Sequence, residues 1–432
     1  MRLIDLRGTA SRPDLVRNAV DGAVVDATVR PILADVAERG EAAVLEWAER
    51  FEGFRPNALR VPAELLAACE QAMDPKLRAA LTIMIDRVRR VHEVQIPVEQ
   101  VIEVAPGAIV EQRWIPVDRV GLYVPGGGAS YVSSVVMNVV PAQLAGVRSI
   151  AVVSPPRRDH DGWPNPAVLG AAALLGVSEF YAVGGAQAIA MLAYGSGPGE
   201  AGCLPVSMVT GPGNTYVTAA KRLLRELIAI DAEAGPTEVL VLADETADAE
   251  CIAADLVSQA EHDALAAVVL VTTSAKLADL VSVALPRRIA EARHGDRIRA
   301  SLAGPQSAVV LVSSLEHAVD IANEYAAEHL EIQTADAEAV SRRIRNAGAV
   351  FVGRYSPVAL GDYLAGSNHV LPTAGTARCS AGLSVGTFLK GVHVINYNRQ
   401  ALEAIAEPAA VLAVAERLPA HRDAIRARLD SR

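Results

Sequence analysis

Four separated stretches of this chain carry side chains of the kinds that bind metals and move protons: Gln259-Ala260-Glu261-His262, Glu328-His329, the segment from Asp362 to His369, and His421. Together they offer amide and carboxylate oxygens, imidazole nitrogens and an acid–imidazole dipeptide, which is the stock of a hydrolytic or redox site. Gln259 and His262 are three residues apart at the end of a helical pattern over 248–262, so their side chains are expected on one face about one turn apart. Glu328-His329 ends a helical run directly before the strand pattern at 330–333. Two adjacent bases can serve two proton transfers, because imidazole titrates near neutrality and a partly buried carboxylate can be tuned upward. Gly361-Asp362-Tyr363 and Gly366-Ser367-Asn368-His369 lie in a glycine-rich loop, where functional residues concentrate. Each feature has a plainer reading. Gln259 and His262 can be a polar helix face, Glu328 an exposed acid, His329 a helix cap, Asp362 and Asn368 turn formers, and His421 a surface histidine. Glutamine is an unusual metal ligand. Glu316-His317 repeats the dipeptide at a helix start and reads as solvated, while His92, His160, His294 and His393 read as structural.

The elements that must position these residues follow from composition and pattern. At 432 residues and 51% hydrophobic, the chain can build two large cores. A net charge of −10 leaves no basic stripe for a phosphate backbone, so nucleic acid is not expected as a partner. The charged start Met1-Arg2-Leu3-Ile4-Asp5-Leu6-Arg7 is unlike a secretory signal, and no apolar run approaches the roughly 18 residues of a membrane span. A soluble cytoplasmic protein is expected. Cys69, Cys203, Cys251 and Cys379 are scattered without a Cys-x-x-Cys pair and read as buried thiols. The alternative for Cys379 is a nucleophile that oxidises an aldehyde through a thiohemiacetal.

Residues 14–94 follow a helical pattern, and 99–123 alternate around Pro106-Gly107 as a hairpin would, leading into Gly126-Gly127-Gly128. Strand-like runs at 149–153, 180–183, 206–210 and 228–231 then alternate with helical ones at 166–175, 186–194 and 215–227. The alternation restarts with strands at 239–243, 267–272, 308–312, 330–333 and 349–352. Such βαβ order predicts parallel sheets, and the fold class expected is α/β. It comprises two doubly wound, incomplete Rossmann-like lobes, a helical N-terminal segment, and a C-terminal tail. That tail, a strand at 392–397 and helices at 400–418 and 420–429, is too small for a core of its own and is expected to pack on something else.

Two glycine-rich turns, Val183-Gly184-Gly185-Ala186-Gln187 and Gly211-Pro212-Gly213-Asn214, lie between strand and helix. Their backbone amides could hold a phosphate or ribose, although neither spells Gly-x-Gly-x-x-Gly. Whole strings add to this. Tyr123-Val124-Pro125-Gly126-Gly127, the two glycine turns, Ala234-Gly235-Pro236-Thr237-Glu238, Ser258-Gln259-Ala260-Glu261-His262, Ala327-Glu328-His329-Leu330 and Gly366-Ser367-Asn368-His369-Val370-Leu371-Pro372-Thr373 occur in one order. Together they resemble the histidinol dehydrogenase family. The resemblance runs from Ile4-Asp5-Leu6 to Ala415-Glu416-Arg417-Leu418-Pro419-Ala420-His421.

The resemblance implies a zinc-dependent enzyme that takes L-histidinol to L-histidine with two NAD+ through a bound aldehyde. It implies one Zn2+ per subunit on Gln259, His262, Asp362 and His421, with His421 reaching across from the partner of an obligate homodimer. Glu328 and His329 match the family's bases. Thr237, Gln259, His262, His329, Asp362, His369, Glu416 and His421 match its substrate contacts, and Tyr123, Gln187 and Asn214 its NAD contacts. The division that goes with it is 1–22 as an N-terminal extension, 23–122 with 236–381 as the lobe carrying most site residues, 123–235 as the NAD lobe, and 382–432 as the dimerisation tail. Two positions depart from the pattern: Thr237 stands where many members have serine, and Val358 where some have glutamate. The competing expectations are a relative oxidising another alcohol, and a non-catalytic protein in which zinc staples lobes together.

Overall fold

Runs of β-branched and apolar residues too short for helices make strands buried on both faces, the signature of parallel sheets covered by helices. A computed structural model describes residues 1–430 except 10, 18–21, 57, 127–129, 198–201 and 234. Gly127 and Gly128 of the glycine run, Ala234, and part of the N-terminal extension therefore lie outside the described residues. In chain order the strands are β1 (Arg2–Asp5), β2 (Gln100–Ala105), β3 (Ala108–Pro116), β4 (Arg119–Tyr123), β5 (Ser149–Ser154), β6 (Phe180–Ala182), β7 (Met208–Thr210), β8 (Ala229–Ile230), β9 (Glu238–Ala243), β10 (Ala267–Thr272), β11 (Ala308–Leu311), β12 (His329–Gln333), β13 (Ala349–Val352) and β14 (Leu389–Tyr397).

They form two parallel sheets and one antiparallel ribbon. The five-stranded sheet runs β6-β5-β4-β7-β8, the six-stranded sheet β1-β11-β10-β9-β12-β13, and the ribbon β14-β3-β2. The chain is thus α/β with two doubly wound sheets, as the βαβ alternation predicts. Side-chain alternation gives each sheet two cores: Val239 and Val241 face one cluster, Leu240 and Leu242 the other. Each such residue contributes roughly 1.5–3 kcal/mol by burial, so these layers fix where every loop begins and ends.

In the five-stranded sheet β5 and β6 lie on one side of β4, and β7 and β8 on the other. Strand order therefore reverses between β4 and β7, the crevice where open α/β sheets bind ligands at their carboxyl ends. Between β9 and β12 the six-stranded sheet reverses in the same way.

Two expectations are corrected here. Residues 23–122 are expected with the six-stranded lobe, but the helices of 22–93 cover the other sheet. Gly22–Arg39 packs on Gly185–Tyr194 and Thr215–Leu223, Ala63–Gln71 on Pro166–Leu174, and Pro75–Glu93 on Val132–Leu144. The reason is the apolar stripe of Val25, Val29, Ile32, Leu33 and Val36, which completes the core around Tyr123 and Ile189. Only β1, at the start of the chain, joins the six-stranded sheet, through β11. The thiols are also not uniformly buried: Cys203 is, Cys69 and Cys251 are half-buried, and Cys379 is exposed.

The 100–116 hairpin turns at Gly107, whose φ of 74° favours glycine. Strand β14 pairs residue for residue with β3, tying the tail to this hairpin. Two helices follow, Arg399–Ala415 and Pro419–Asp430, which pack on each other. They leave Val411, Leu412, Val414 and Leu418 exposed, as β2 leaves Val101, Ile102 and Val104. Among the described residues no helix is long and apolar enough to cross a membrane.

Candidate active site

Strand pairing across some ninety residues of chain creates the site. β9 and β12 lie side by side with His329 opposite Val239, so their amino ends bring Thr237 and Glu238 against Glu328 and His329. The helix after β9, Ala249–Ala260, runs back along the sheet and delivers Gln259 and His262 to the same end. His262 lies past that helix, in a turn closed by its N–H donating to the Gln259 carbonyl at 3.3 Å, rather than on the last helical turn. Glu328 likewise follows a loop, since the preceding helix ends at Tyr325 and Ala326 takes a left-handed conformation.

A continuous hydrogen-bond chain orders these groups. Gln259 Nε2 donates to Thr237 Oγ1 at 2.7 Å, and Thr237 Oγ1 donates to Glu328 Oε2 at 2.5 Å. The Glu238 N–H donates to the same carboxylate oxygen at 2.9 Å. His329 Nδ1 lies 3.2 Å from the Glu238 carbonyl and 3.5 Å from Glu328 Oε2. A carbonyl only accepts, so Nδ1 carries the hydrogen and Nε2 keeps the lone pair of a base. The tilted Phe351 ring lies 6.0 Å from that imidazole.

Asp362 ends a short helix, Ala359–Asp362, beyond β13, and His369 lies in the loop that follows. Gly361 precedes them where a Cβ would stand 2.6 Å from the Phe351 ring, so only glycine lets the loop sit this close. Asn368 ties the loop down by donating to the Met137 carbonyl at 2.7 Å, and approaches the buried ring of His92 at 3.4 Å. Asp362 then lies 3.5 Å from His369 Nδ1 and 3.9 Å from His262 Nε2, while His369 Nε2 meets Ser134 Oγ at 3.2 Å.

Burial dominates the electrostatics. It pushes the Glu328 carboxyl up to about 8, against the Thr237 and Glu238 hydrogen bonds that pull it down. Both His329 and His262 are pushed down by burial and so favour the neutral form with a free lone pair. Asp362, although buried, is held below its ordinary value by the His369 hydrogen bond and the surrounding imidazoles.

The donor set suits a divalent cation. Gln259 spends its amide nitrogen on Thr237 and keeps Oε1 available, while His262 presents a neutral ring to the ionised Asp362. Only two of these three side chains are His, Cys, Asp or Glu, and among the described residues no group of three or more of those types is arranged to hold a metal. His421 and Glu416 are exposed on the tail, and no hydrogen bond or ion pair joins them to the cluster among the described residues.

Tyr123, Gln187 and Asn214 line the other sheet's carboxyl edge. Tyr123 closes β4, and its hydroxyl oxygen accepts the Gly185 N–H at 3.2 Å. Gln187 is fully buried, and among the described residues neither amide atom has a hydrogen-bond partner. Asn214 caps the helix Thr215–Leu223. Gly211, at φ 113°, sits where a Cβ would be 2.1 Å from the Tyr123 carbonyl oxygen. Its N–H donates to Asp231 at 2.8 Å and its carbonyl accepts from the buried Lys221 at 3.0 Å. An orphaned buried amide beside glycine turns fits a polar ligand such as a dinucleotide.

Sequence reasoning missed Glu238, Ser134 and Phe351, all of which touch site residues. Their only signal was proximity to motifs. Val358 lies buried in the six-stranded sheet's core, which accounts for an apolar residue there.

With this geometry in place, likeness to known proteins is decisive. The family described as Histidinol dehydrogenase matches residues 15–429. The chain belongs to the histidinol dehydrogenase family. Its curated relatives in that family include histidinol dehydrogenase of Thermobifida fusca (strain YX), 56% identical over 428 residues, covering 99% of this chain and 97% of the relative. That of Mycobacterium tuberculosis (strain ATCC 25618 / H37Rv) is 56% identical over 433 residues, covering 99% and 98%. The crystal structure of histidinol dehydrogenase from Elizabethkingia anophelis superposes with a TM-score of 0.90 at 32% identity, covering 99% of this chain and 98% of that one.

Proposed function

We propose that this chain oxidises L-histidinol through bound L-histidinal to L-histidine, the last step of histidine biosynthesis, reducing two NAD+. The observation that carries this reading is the dry pair of Glu328 and His329, wired through Thr237 to Gln259 and facing the Asp362–His262 pair. Four electrons leave one carbon in two hydrides, so the site must remove an alcohol proton, admit water once, and remove a second proton without releasing the aldehyde.

His329 Nε2 takes the hydroxyl proton as the first hydride leaves for NAD+. Glu328, once ionised, takes a proton from water as that water adds to the aldehyde carbon. The imidazolium of His329 returns its proton to the aldehyde oxygen to complete the diol, which loses its second hydride to a second NAD+ while His329 again takes a hydroxyl proton, leaving the carboxylic acid, which ionises. His369 and Thr237 orient the substrate, joined by Glu416 of the partner subunit. Tyr123, Gln187 and Asn214 hold NAD+ at the β4/β7 crevice, where hydride acceptors are expected in such sheets.

Zinc, one per subunit, would be held by Gln259, His262, Asp362 and His421 of the partner subunit, and would supply a Lewis-acidic template for the imidazole and amine of the substrate. A homodimer with a shared site accounts for a ligand set that lacks its fourth member and for the apolar tail face. A cytoplasmic location goes with this reading.

The test replaces Glu328 with Gln and His329 with Asn. Both variants should keep zinc and folded structure while turnover falls by about 100-fold or more, the scale of general acid–base catalysis. Unchanged turnover refutes the assigned roles. Cys379→Ser should be fully active, since among the described residues that exposed thiol bonds only within its own turn.

A further inference from the structure

Glu238 is the residue that touches both proposed bases without belonging to the chemistry. Its N–H donates to Glu328 Oε2 at 2.9 Å, and its carbonyl accepts from His329 Nδ1 at 3.2 Å. The peptide groups of one residue therefore set both the carboxylate's position and the imidazole's tautomer. The residue is only 2% exposed, at the start of a strand that is otherwise apolar through Ala243.

A carboxyl at such a place needs partners, and it has two. Oε1 forms an ion pair with Arg17 Nη1 at 3.3 Å, and Oε2 accepts from the Tyr325 hydroxyl at 3.3 Å. Arg17 stacks on the Tyr325 ring, 4.1 Å from its centroid, and donates to the Tyr325 carbonyl. Three elements thus meet at one carboxylate: the N-terminal segment, the end of the helix that leads to Glu328, and β9. A buried ion pair is a weak source of stability, and apolar replacements of such pairs are often neutral. Holding the strand's first residue so that its peptide faces the bases is a use that an apolar side chain cannot supply.

We infer that Glu238, anchored by Arg17 and Tyr325, is a positioning residue for the oxidation, acting through its own backbone on Glu328 and His329. This rests on the role proposed above for those two bases. It predicts an effect on turnover rather than on substrate capture, because neither the putting together of the Asp362–His262 pair nor the Tyr123–Gln187 edge involves Glu238.

The experiment compares zinc-loaded, full-length Glu238→Gln and Tyr325→Phe with the wild type and with Glu328→Gln. For Glu238→Gln, kcat should fall by about 10- to 100-fold, the cost of sub-ångström misplacement, with KM for L-histidinol and NAD+ within about twofold. Its pH–rate profile should also move, because the carboxylate beside Glu328 is gone. Tyr325→Phe, which removes one hydroxyl and keeps the ring under Arg17, should show a smaller loss of the same kind and covers the case in which Glu238→Gln does not fold. Wild-type kcat and pH profile in folded Glu238→Gln overturn the inference if Glu328→Gln is inactive. If Glu328→Gln is also fully active, the reading of the bases themselves has failed.

Discussion

Glu328 and His329 are neighbours in sequence and share one dry pocket, yet burial moves them oppositely on the pH scale: the acid up to about 8, the imidazole down. Each is thereby driven toward its uncharged form. His329 gains an available lone pair at neutral pH, and in the role proposed for it Glu328 must shed a proton before it can activate water. Activity should therefore climb with pH along a limb set by Glu328, far above the ordinary carboxylate value. Thr237 pulls that value down by donating to the carboxylate. Replacing Thr237 with Val should move the acid limb of the kcat profile to higher pH, by about one unit, the worth of one charge-assisted hydrogen bond. A limb that stays in place in Thr237→Val would separate Glu328 from the proton transfer.

At the scale of elements, most strands of both sheets were legible because their β-branched runs are short, apolar and separated by helices; β1 was not, and β4, read as part of the 99–123 hairpin, pairs instead with β5 and β7 in the parallel sheet. The helix bearing Gln259 was legible too, from Asp248, whose side chain caps it, to within two residues of its end. What local pattern could not supply was pairing at a distance. That β9 lies beside β12, making neighbours of Thr237 and Glu328, depends on sheet order, which periodicity does not encode. The helices of 22–93 could not be assigned to a sheet for the same reason, since an apolar stripe states that it must be covered and not by what. His92 reads as structural, and its place under Asn368 depends on how Pro75–Glu93 packs.

One element carries a prediction of its own. On β12, Glu331 is fully buried with Gln333 donating to it at 2.5 Å and with Asp255 hydrogen-bonded alongside. Burial, and then Asp255, push its carboxyl up to about 8. Its folded value lies above its unfolded one, so its stabilising contribution is complete below about pH 4.5 and is lost as pH rises towards about 8. Glu331→Gln removes that proton linkage. The variant should lose less stability than the wild type between about pH 5 and about pH 8, by on the order of 2 kcal/mol in denaturant titrations. Parallel curves for the two proteins would contradict it.

At the scale of the molecule, one chain holds a carboxyl edge fit for a dinucleotide, an amino edge bearing the two proposed bases, and three of the four proposed zinc ligands. The tail with Glu416 and His421 is anchored by β14 to its own hairpin, and its helices keep an apolar face uncovered. If a second copy completes each site, subunits with different defects should rescue each other. Glu328→Gln supplies an intact tail and His421→Ala an intact body, so mixing the two inactive proteins under conditions of subunit exchange should restore one working site per mixed dimer. No recovery, with exchange verified, would place the whole site within a single subunit.

The central claim is that both oxidations happen on one substrate that never leaves. It is tested most directly by counting NADH formed per L-histidinol consumed by zinc-loaded protein. Two NADH, with L-histidine as the product and no free aldehyde trapped, is the expected result; one NADH with aldehyde in solution would contradict it.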